Sequence, residues 1–369
     1  MKIIADYPHN LAGHCGSGAL RDLLEWASLS YEDEPMKEGF VFGLAGELSF
    51  RYLKGPGLGT PFYLVGRGAD LTTKLCGRLA IECEVRTTDS PDLGWRWLRD
   101  EIDQGYPLLC WADMKDLPYL NVQMRMSRHD IVAIGYGISD VTVVDNDREL
   151  PQSLRHIDLV RARNSHGFPT PTRNTCYPMR FPKSLPLLHE TAASALRASA
   201  ENMLDDRPSS FLGNHNVEIS EAVGLDGVKF FARDVERWGA ATDEDQLAAA
   251  HSLLAVFIEK AGTGGGLFRR LQAEFLDRLS ELTSDSAVIA AARTWRDLAE
   301  AWTLLAMTAK DSSTAPAVRQ KFLAQIAQTL PDLERAATKS LIVAADSLVA
   351  SPTMWTRMIP DAFAPTEPQ

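Results

Sequence analysis

Residues 14–24 read His14-Cys15-Gly16-Ser17-Gly18-Ala19-Leu20-Arg21-Asp22-Leu23-Leu24, in which a His-Cys pair and two glycines lead directly into leucines. The leucines follow the spacing of a helix with one buried face, so Cys15 lies at or just before a helix N-terminus. Free backbone N–H groups and the positive end of the helix dipole stabilise a thiolate at that position. The stretch predicts a nucleophilic cysteine, and a cysteine packed as a small core residue is the competing interpretation.

A second stretch supplies partners for this sulfur. Two runs rich in β-branched residues, 131–134 and 141–144, are joined by a turn of Gly, Ile, Ser and Asp, which predicts a β-hairpin. His129 opens the first strand and Asp145 follows the second, so both lie at the open end of the hairpin. A carboxylate placed there holds an imidazole in one tautomer, as nucleophile chemistry requires. Taken separately, the two residues are a strand-end histidine and a turn-capping aspartate; with Cys15 they predict a catalytic triad.

The length and the proline distribution predict two domains. A chain of 369 residues is long for one core. Residues 164–186 are irregular and proline-rich, which disfavours helix and central strand, whereas 153–163 read as a helix. We therefore place the domains at 1–186 and 187–369. The second is expected to be helical, with segments near 188–204, 226–239, 243–261, 267–283, 286–309 and 316–348.

Composition excludes several classes of function. Five scattered cysteines, odd in number, argue against a disulfide framework and fit a reducing compartment, and no His/Cys spacing matches structural zinc, so no metal is inferred. No apolar run is long enough to span a membrane, and no secretory signal is apparent, so a cytoplasmic protein is expected. The net charge of −11 disfavours nucleic acid. Docking of an acidic carrier protein would need a local basic patch, from Arg269 and Arg270 or from Arg155, Arg161 and Arg163.

Two glycine-containing segments are candidate substrate contacts. Gly43 lies in an apolar segment of small residues, which suits close packing or a backbone wall beside a pocket. Gly264, Gly265 and Gly266 precede a helix, where a glycine run can cradle an anion, and Arg269 and Arg270 follow one turn later. A helix stop followed by a plain turn is the simpler interpretation of the glycine run.

Three segments resemble one known family. The stretches HCGSGALR at 14–21, VFGLAG at 41–46 and GGGLFRRL at 264–271 are similar to the family of butirosin biosynthesis protein H. The order Cys, His on a strand and Asp after the next strand also resembles papain-like enzymes, especially the bacteriocin-leader peptidases. The resemblance implies an α+β fold: a papain-like domain with an N-terminal helix and an antiparallel sheet, followed by an all-helical domain that acts as a lid or docks the acceptor or carrier.

The resemblance further implies an acyltransferase of antibiotic biosynthesis with no tightly bound cofactor. An acyl or aminoacyl group would pass from a phosphopantetheine thioester, on an acyl carrier protein or a small acyl-thioester, to Cys15 and then to an amine on a small-molecule acceptor. His129 would act as general base and acid, and Asp145 would orient it. Papain-like proteases place a Gln a few residues before the Cys, and this chain does not. The expected oxyanion donors are therefore the side chain of Asn10 and the backbone N–H of Cys15.

Two other functions remain open from the sequence. The same triad with water as acceptor would make a hydrolase of peptide, amide or thioester bonds. A binding protein on a relic papain-like fold would keep Cys15 only as a core thiol. A homodimer is compatible with either function or with the transferase.

Overall fold

The computed structural model describes residues 2–58, 60–123, 125–205, 207, 219–241 and 243–350. Over these residues the chain is α+β, with antiparallel sheets and a helical C-terminal region, as predicted. The helices before residue 187 are α1 (Cys15–Trp26), α2 (Glu38–Ala45), α3 (Leu71–Arg78), α4 (Pro91–Asp103) and α5 (His156–Arg163). Those after it are α6 (Leu188–Leu204), α7 (Gly224–Ala241), α8 (Glu244–Glu259), α9 (Arg269–Thr283), α10 (Ser286–Lys310) and α11 (Pro316–Ala350).

The largest sheet in the described part of the chain contains the predicted hairpin. Its antiparallel strands are β1 (Lys2–Ile3), β5 (Leu108–Ala112), β6 (His129–Tyr136), β7 (Asp140–Val144), β8 (Gln152–Arg155) and β9 (Cys176–Tyr177). They lie in the order β8-β7-β6-β5-β9, and β1 also pairs with β6. Val132 is opposite Val144, so the first residue of β6 and the residue after β7 lie at the same end of the sheet.

Residues 153–155 were expected to be the first residues of a helix over 153–163, and that expectation is wrong. They belong to β8, which pairs with β7 before α5 begins. In β8 only Leu154 is buried, between exposed neighbours. This alternation is the period of a strand, but four residues are too few for the pattern to stand out beside the helix that follows.

The remaining described strands form two smaller sheets. Strands β2 (Leu48–Lys54) and β3 (Tyr63–Arg67) pair with each other, and β2 also pairs with β11 (Ser220–Val223), which lies between α6 and α7 in sequence. Strands β4 (Glu82–Cys83) and β10 (Met179–Arg180) form the other sheet. Because β11 comes from the helical half of the chain, the two halves share a sheet.

The large sheet separates two hydrophobic cores. Leu98 of α4 and Leu159 of α5 pack on one face, with Ile131 and Val143 of the sheet. The other face supplies Val132 to a larger core that also contains residues of α1, the small sheet and all the C-terminal helices. The N-terminal and C-terminal regions are therefore joined by continuous apolar packing. None of the described helices is long and apolar enough to span a bilayer.

Arg269, the first residue of α9, lies fully buried within this larger core. Its guanidinium forms an ion pair with Glu334 of α11, with Nε to Oε1 at 2.8 Å, and donates to the carbonyl of Ser49 in β2 at 3.1 Å. It also donates to the carbonyl of Leu267 at 2.8 Å. Trp302 of α10 donates to the same oxygen of Glu334 at 2.7 Å. The network connects the sheet of β2, β3 and β11 to α9, α10 and α11.

Replacing Glu334 by Leu should strongly destabilise the protein, because it leaves a buried guanidinium without its counter-ion. We expect the free energy of unfolding in urea to fall by about 3–5 kcal/mol. The double variant Arg269→Met with Glu334→Leu should recover much of this loss. The control is Arg335→Ala, at the residue that follows Glu334 in α11. It removes only an exposed ion pair with Asp332 and should change the free energy of unfolding by less than about 0.5 kcal/mol. An equal loss in Arg335→Ala and Glu334→Leu would contradict the role of the buried pair.

Candidate active site

Cys15 is the first residue of α1, as the sequence predicts for a nucleophile. His14 caps the helix: its backbone is extended, and its Nδ1 accepts from the N–H of Ser17 at 3.2 Å. The Cys15 side chain is partly exposed, whereas Cys76, Cys110 and Cys176 are buried. Its sulfur is therefore accessible at the positive end of a twelve-residue helix.

Glu38 fixes the loop that leads to this cysteine. One carboxylate oxygen accepts from the N–H of Gly13 and the other from the N–H of His14, both at 2.8 Å. The second oxygen also accepts from the hydroxyl of Ser17 at 2.9 Å. Sequence analysis missed Glu38, because an acidic residue in the first turn of α2 carries no sign that it contacts a loop 25 residues earlier.

His129 and Asp145 meet at the open end of the hairpin. His129 Nε2 lies 2.7 Å from Asp145 Oδ2, and both side chains are buried. Tyr119 donates its hydroxyl to the same oxygen at 2.7 Å, and the N–H of Asp147 donates to the other oxygen at 3.1 Å. Since Nε2 is bonded to the carboxylate, Nδ1 is the ring nitrogen left for the sulfur.

The charges at the site favour a protonated His129. Burial alone would lower the pKa of His129, but the Asp145 carboxylate and the sulfur of Cys15, which is also a hydrogen-bond partner, together raise it well above its usual value. Burial likewise opposes ionisation of Asp145, yet the contact with His129 lowers the pKa of that carboxyl. The pair of His129 and Asp145 therefore favours an imidazolium bonded to a carboxylate.

Asp130 lies near the Cys15 sulfur and projects from the face of β6 opposite to that of His129. Its Oδ2 lies 3.8 Å from Cys15 Sγ, and its buried Oδ1 has no partner in the described part of the chain. Burial raises the pKa of Asp130, while Arg67 and Arg128 oppose that shift. Side chains alternate along β6, and Asp130 points toward α1. Sequence analysis missed Asp130 because the sequence does not show that α1 packs on this face of the sheet.

Cys15 and His129 open into a cavity of about 360 Å³. The N-terminal half contributes an apolar wall that includes Tyr63, Leu64, Val65, Met114 and Met126. The C-terminal half closes the cavity with Phe268 and with residues 259–263, from the end of α8 and the loop after it. A cavity of this size suits a small-molecule ligand.

The other candidate residues near Cys15 lie in different surroundings. Asn10 is exposed and does not line the cavity; its carbonyl accepts from Arg21 at 2.7 Å and from Asn146 at 2.8 Å. The backbone N–H of Cys15 is at the helix start, beside the sulfur. Gly43 is buried in α2, where an added side chain would overlap the ring of Phe275. Gly43 therefore permits helix packing and does not reach the cavity.

The glycine run contacts the site through its backbone. Gly264 donates to the carbonyl of Gly13 at 3.1 Å, and Gly265 and Gly266 donate to the side chains of Thr263 and Glu259 at 3.2 and 3.0 Å. These N–H groups are therefore used within the protein. The run fixes the loop before the nucleophile instead of presenting donors to an anion.

The arginine predictions require corrections. Arg269 is fully buried and bonded to Glu334, so it is not available to a substrate or carrier. Arg270 is partly exposed on the surface, near Glu259 and Thr303, and does not line the cavity. In the other proposed patch, Arg163 is buried and donates to main-chain carbonyls, and Arg155 is paired with Asp158.

Among the residues that the structure describes, one group of side chains has the composition of a metal site. His129, Asp145 and Asp147 each bring one potential ligand atom within 4.8 Å of the others. Because His129 and Asp145 already share a short hydrogen bond, the group also fits a histidine with an orienting carboxylate and a second, exposed carboxylate beside it.

Two family descriptions match the chain. "Butirosin biosynthesis protein H, N-terminal" matches residues 14–146, which include Cys15, His129 and Asp145. A domain of unknown function, DUF4872, matches residues 157–341, half of the chain. The sequence of this chain matches no curated protein. The second match begins in α5, so it includes the proline-rich segment where we placed the domain boundary.

Asp145→Asn should lower the pKa of His129. Asparagine cannot offset the imidazolium charge, so burial then dominates and the imidazolium is lost at a lower pH. NMR titration of the histidine should show this shift, and iodoacetamide should alkylate Cys15 at pH 7 at least about tenfold more slowly, the equivalent of one pKa unit. Asp140→Asn removes a charge at the other end of β7, the strand that Asp145 follows. This control should leave the His129 pKa and the alkylation rate unchanged. An unaltered His129 pKa in Asp145→Asn would contradict the electrostatic account.

Proposed function

Because the chain belongs to the butirosin biosynthesis protein H-like family, we propose that it is a cysteine-dependent acyltransferase that forms an amide in natural-product biosynthesis. Family membership suggests a biosynthetic role related to acyl transfer. The observation that carries the finer proposal is that Cys15, at a helix start, and His129, bonded to Asp145, line one cavity.

The first step transfers the acyl group to the enzyme. The Cys15 thiolate attacks the carbonyl carbon of a thioester, and the C–S bond to the donor breaks as His129 gives its proton to the departing thiolate. In this proposal the backbone N–H of Cys15 donates to the tetrahedral oxyanion, and one such donor contributes about 3 kcal/mol. Thioester exchange needs no other source of energy, and His129 is left neutral.

The second step transfers the acyl group to an amine. The unprotonated amine attacks the acyl carbon, His129 takes the proton that its nitrogen loses, and the Cys15 thiolate leaves. This restores the thiolate and the imidazolium. The donor we propose is a phosphopantetheine thioester, on an acyl carrier protein or as a small molecule.

The fold supports a papain-like assignment for residues 1–186. A helix that begins at the nucleophile packs on an antiparallel sheet that carries the histidine and the aspartate, the arrangement expected of such enzymes. We propose that residues 187–369 act as a lid, because residues 259–263 and Phe268 form one wall of the cavity. A wall that limits the access of water favours an amine over hydrolysis.

The reaction can be tested with a small donor such as the hexanoyl thioester of N-acetylcysteamine. Intact-protein mass spectrometry should show one hexanoyl group on the wild-type protein, and added amine should release it as an amide. Cys15→Ala should lose acylation and reduce turnover by at least about a thousandfold. Cys83→Ala, which removes another partly exposed thiol, is the matched control. Release of hexanoate at a rate that ignores the amine would instead indicate a hydrolase.

A further inference from the structure

Two guanidinium groups line the cavity beside Cys15. Arg67 ends β3 and Arg128 directly precedes His129. Each donates to one main-chain carbonyl, Arg67 to Gly68 at 2.9 Å and Arg128 to Ala69. In the part of the chain that the structure describes, neither forms an ion pair, in contrast to Arg269 and most exposed arginines. Both therefore have donors left for a ligand.

The position of Arg128 makes an anionic ligand favourable. Its guanidinium lies over the ring of Trp111, 4.4 Å from the centroid, and its Nε is buried without a partner. Burial and the nearby charge of Arg67 lower the pKa of Arg128. The charges of Asp130 and Asp70 oppose this shift. A ligand carboxylate on the cavity side of the two guanidiniums would further offset their repulsion and form charge-assisted hydrogen bonds.

A carboxylate of the protein lies in the same cavity. Asp147 is exposed, lines the cavity and places an oxygen within 4.8 Å of a ring nitrogen of His129. Its side chain has no partner among the described residues; its backbone N–H donates to Asp145 and its carbonyl accepts from Arg148. A protonated amine attracted to Asp147 would be next to the base that the second step uses.

Most of the remaining cavity wall is apolar. Leu64, Val65, Met114, Met126 and Phe268 offer no charge to a ligand. This wall suits a hydrocarbon acyl chain. Besides His129, the charged side chains in the wall are Arg67, Arg128, Asp147, Glu259 and Lys260. The first three lie on the side that the N-terminal half forms, with Cys15 and His129, and we assign these three to the acceptor.

We propose that the acceptor is an amino acid, whose carboxylate binds Arg67 and Arg128 and whose ammonium binds Asp147 beside His129. This inference rests on the proposed function. The ammonium gives up one proton to solvent, its nitrogen bonds to the acyl carbon of acyl-Cys15, a second proton passes to His129, and the C–S bond breaks. The products are an N-acyl amino acid and the thiolate–imidazolium enzyme.

Product binding tests the acceptor site without turnover. Calorimetry on the wild-type protein would compare N-hexanoylglycine with N-hexanoylglycinamide, which lacks the carboxylate, and with adipoylglycinamide, which carries a carboxylate at the far end of the acyl chain. We expect the first to bind at least about tenfold tighter than either of the others. Equal affinities, or tighter binding of adipoylglycinamide, would overturn the proposal, even if Cys15 proved not to be a nucleophile.

Kinetics with glycine and glycinamide test the same site in the reaction. The amine of glycinamide is less basic and more of it is unprotonated at neutral pH, so a preference for glycine cannot come from amine reactivity. We expect kcat/KM to favour glycine by about tenfold or more. Arg67→Gln should abolish the preference, Arg67→Lys should keep part of it, and Asp147→Asn should raise KM for glycine.

A matched control is Arg296→Gln, which removes a surface partner of Asp277 and should keep the wild-type preference. An Arg67→Gln variant that acylates Cys15 and still prefers glycine would overturn the proposal. Loss of Cys15 acylation in the wild-type protein would instead overturn the proposed function and leave the binding comparison as the test of the acceptor.

Discussion

The buried guanidinium of Arg269 is bonded at once to Glu334 and to main-chain carbonyls of β2 and of the loop before α9. A charge at this depth is tolerated only when its partners are all present. The loop before α9 is therefore held in one place, with Leu267 and Phe268 in left-handed backbone conformations. Phe268 contacts the ring of His14, the residue before the nucleophile, with ring centroids 5.1 Å apart.

This constraint makes the candidate site a product of both halves of the chain. Gly13 lies so close to Gly264 that a Cβ at residue 13 would collide with the Gly264 backbone. Residues 259–263 and Phe268 then close the cavity that Cys15 and His129 line from the other side. The helical half is thus part of the cavity wall, and its packing against α2 and β2 sets the shape of that wall.

The sequence was informative where a signal was local. Cys15 at a helix start and the hairpin with His129 and Asp145 at its open end follow from periodicity and turn chemistry. In the structure His129 is bonded to Asp145, and Cys15 and His129 line the same cavity; their catalytic roles stay a prediction. Arg269 shows the limit of local signals: an arginine after a glycine run has the same pattern whether it meets a ligand or a buried glutamate 65 residues later. Glu38, Asp130 and Arg67 were missed for the same reason, since their importance depends on contacts between distant elements.

The hydrogen bond between Gly264 and Gly13 joins residues about 250 positions apart in the chain. During translation Cys15 thus emerges long before residues 259–263 and Phe268, which form the opposite wall of its cavity. Contacts of such separation form late in folding, because the intervening chain must be ordered first. A nascent polypeptide therefore carries the Cys15 thiol before its cavity has formed, and any chemistry that needs the cavity is confined to the folded protein.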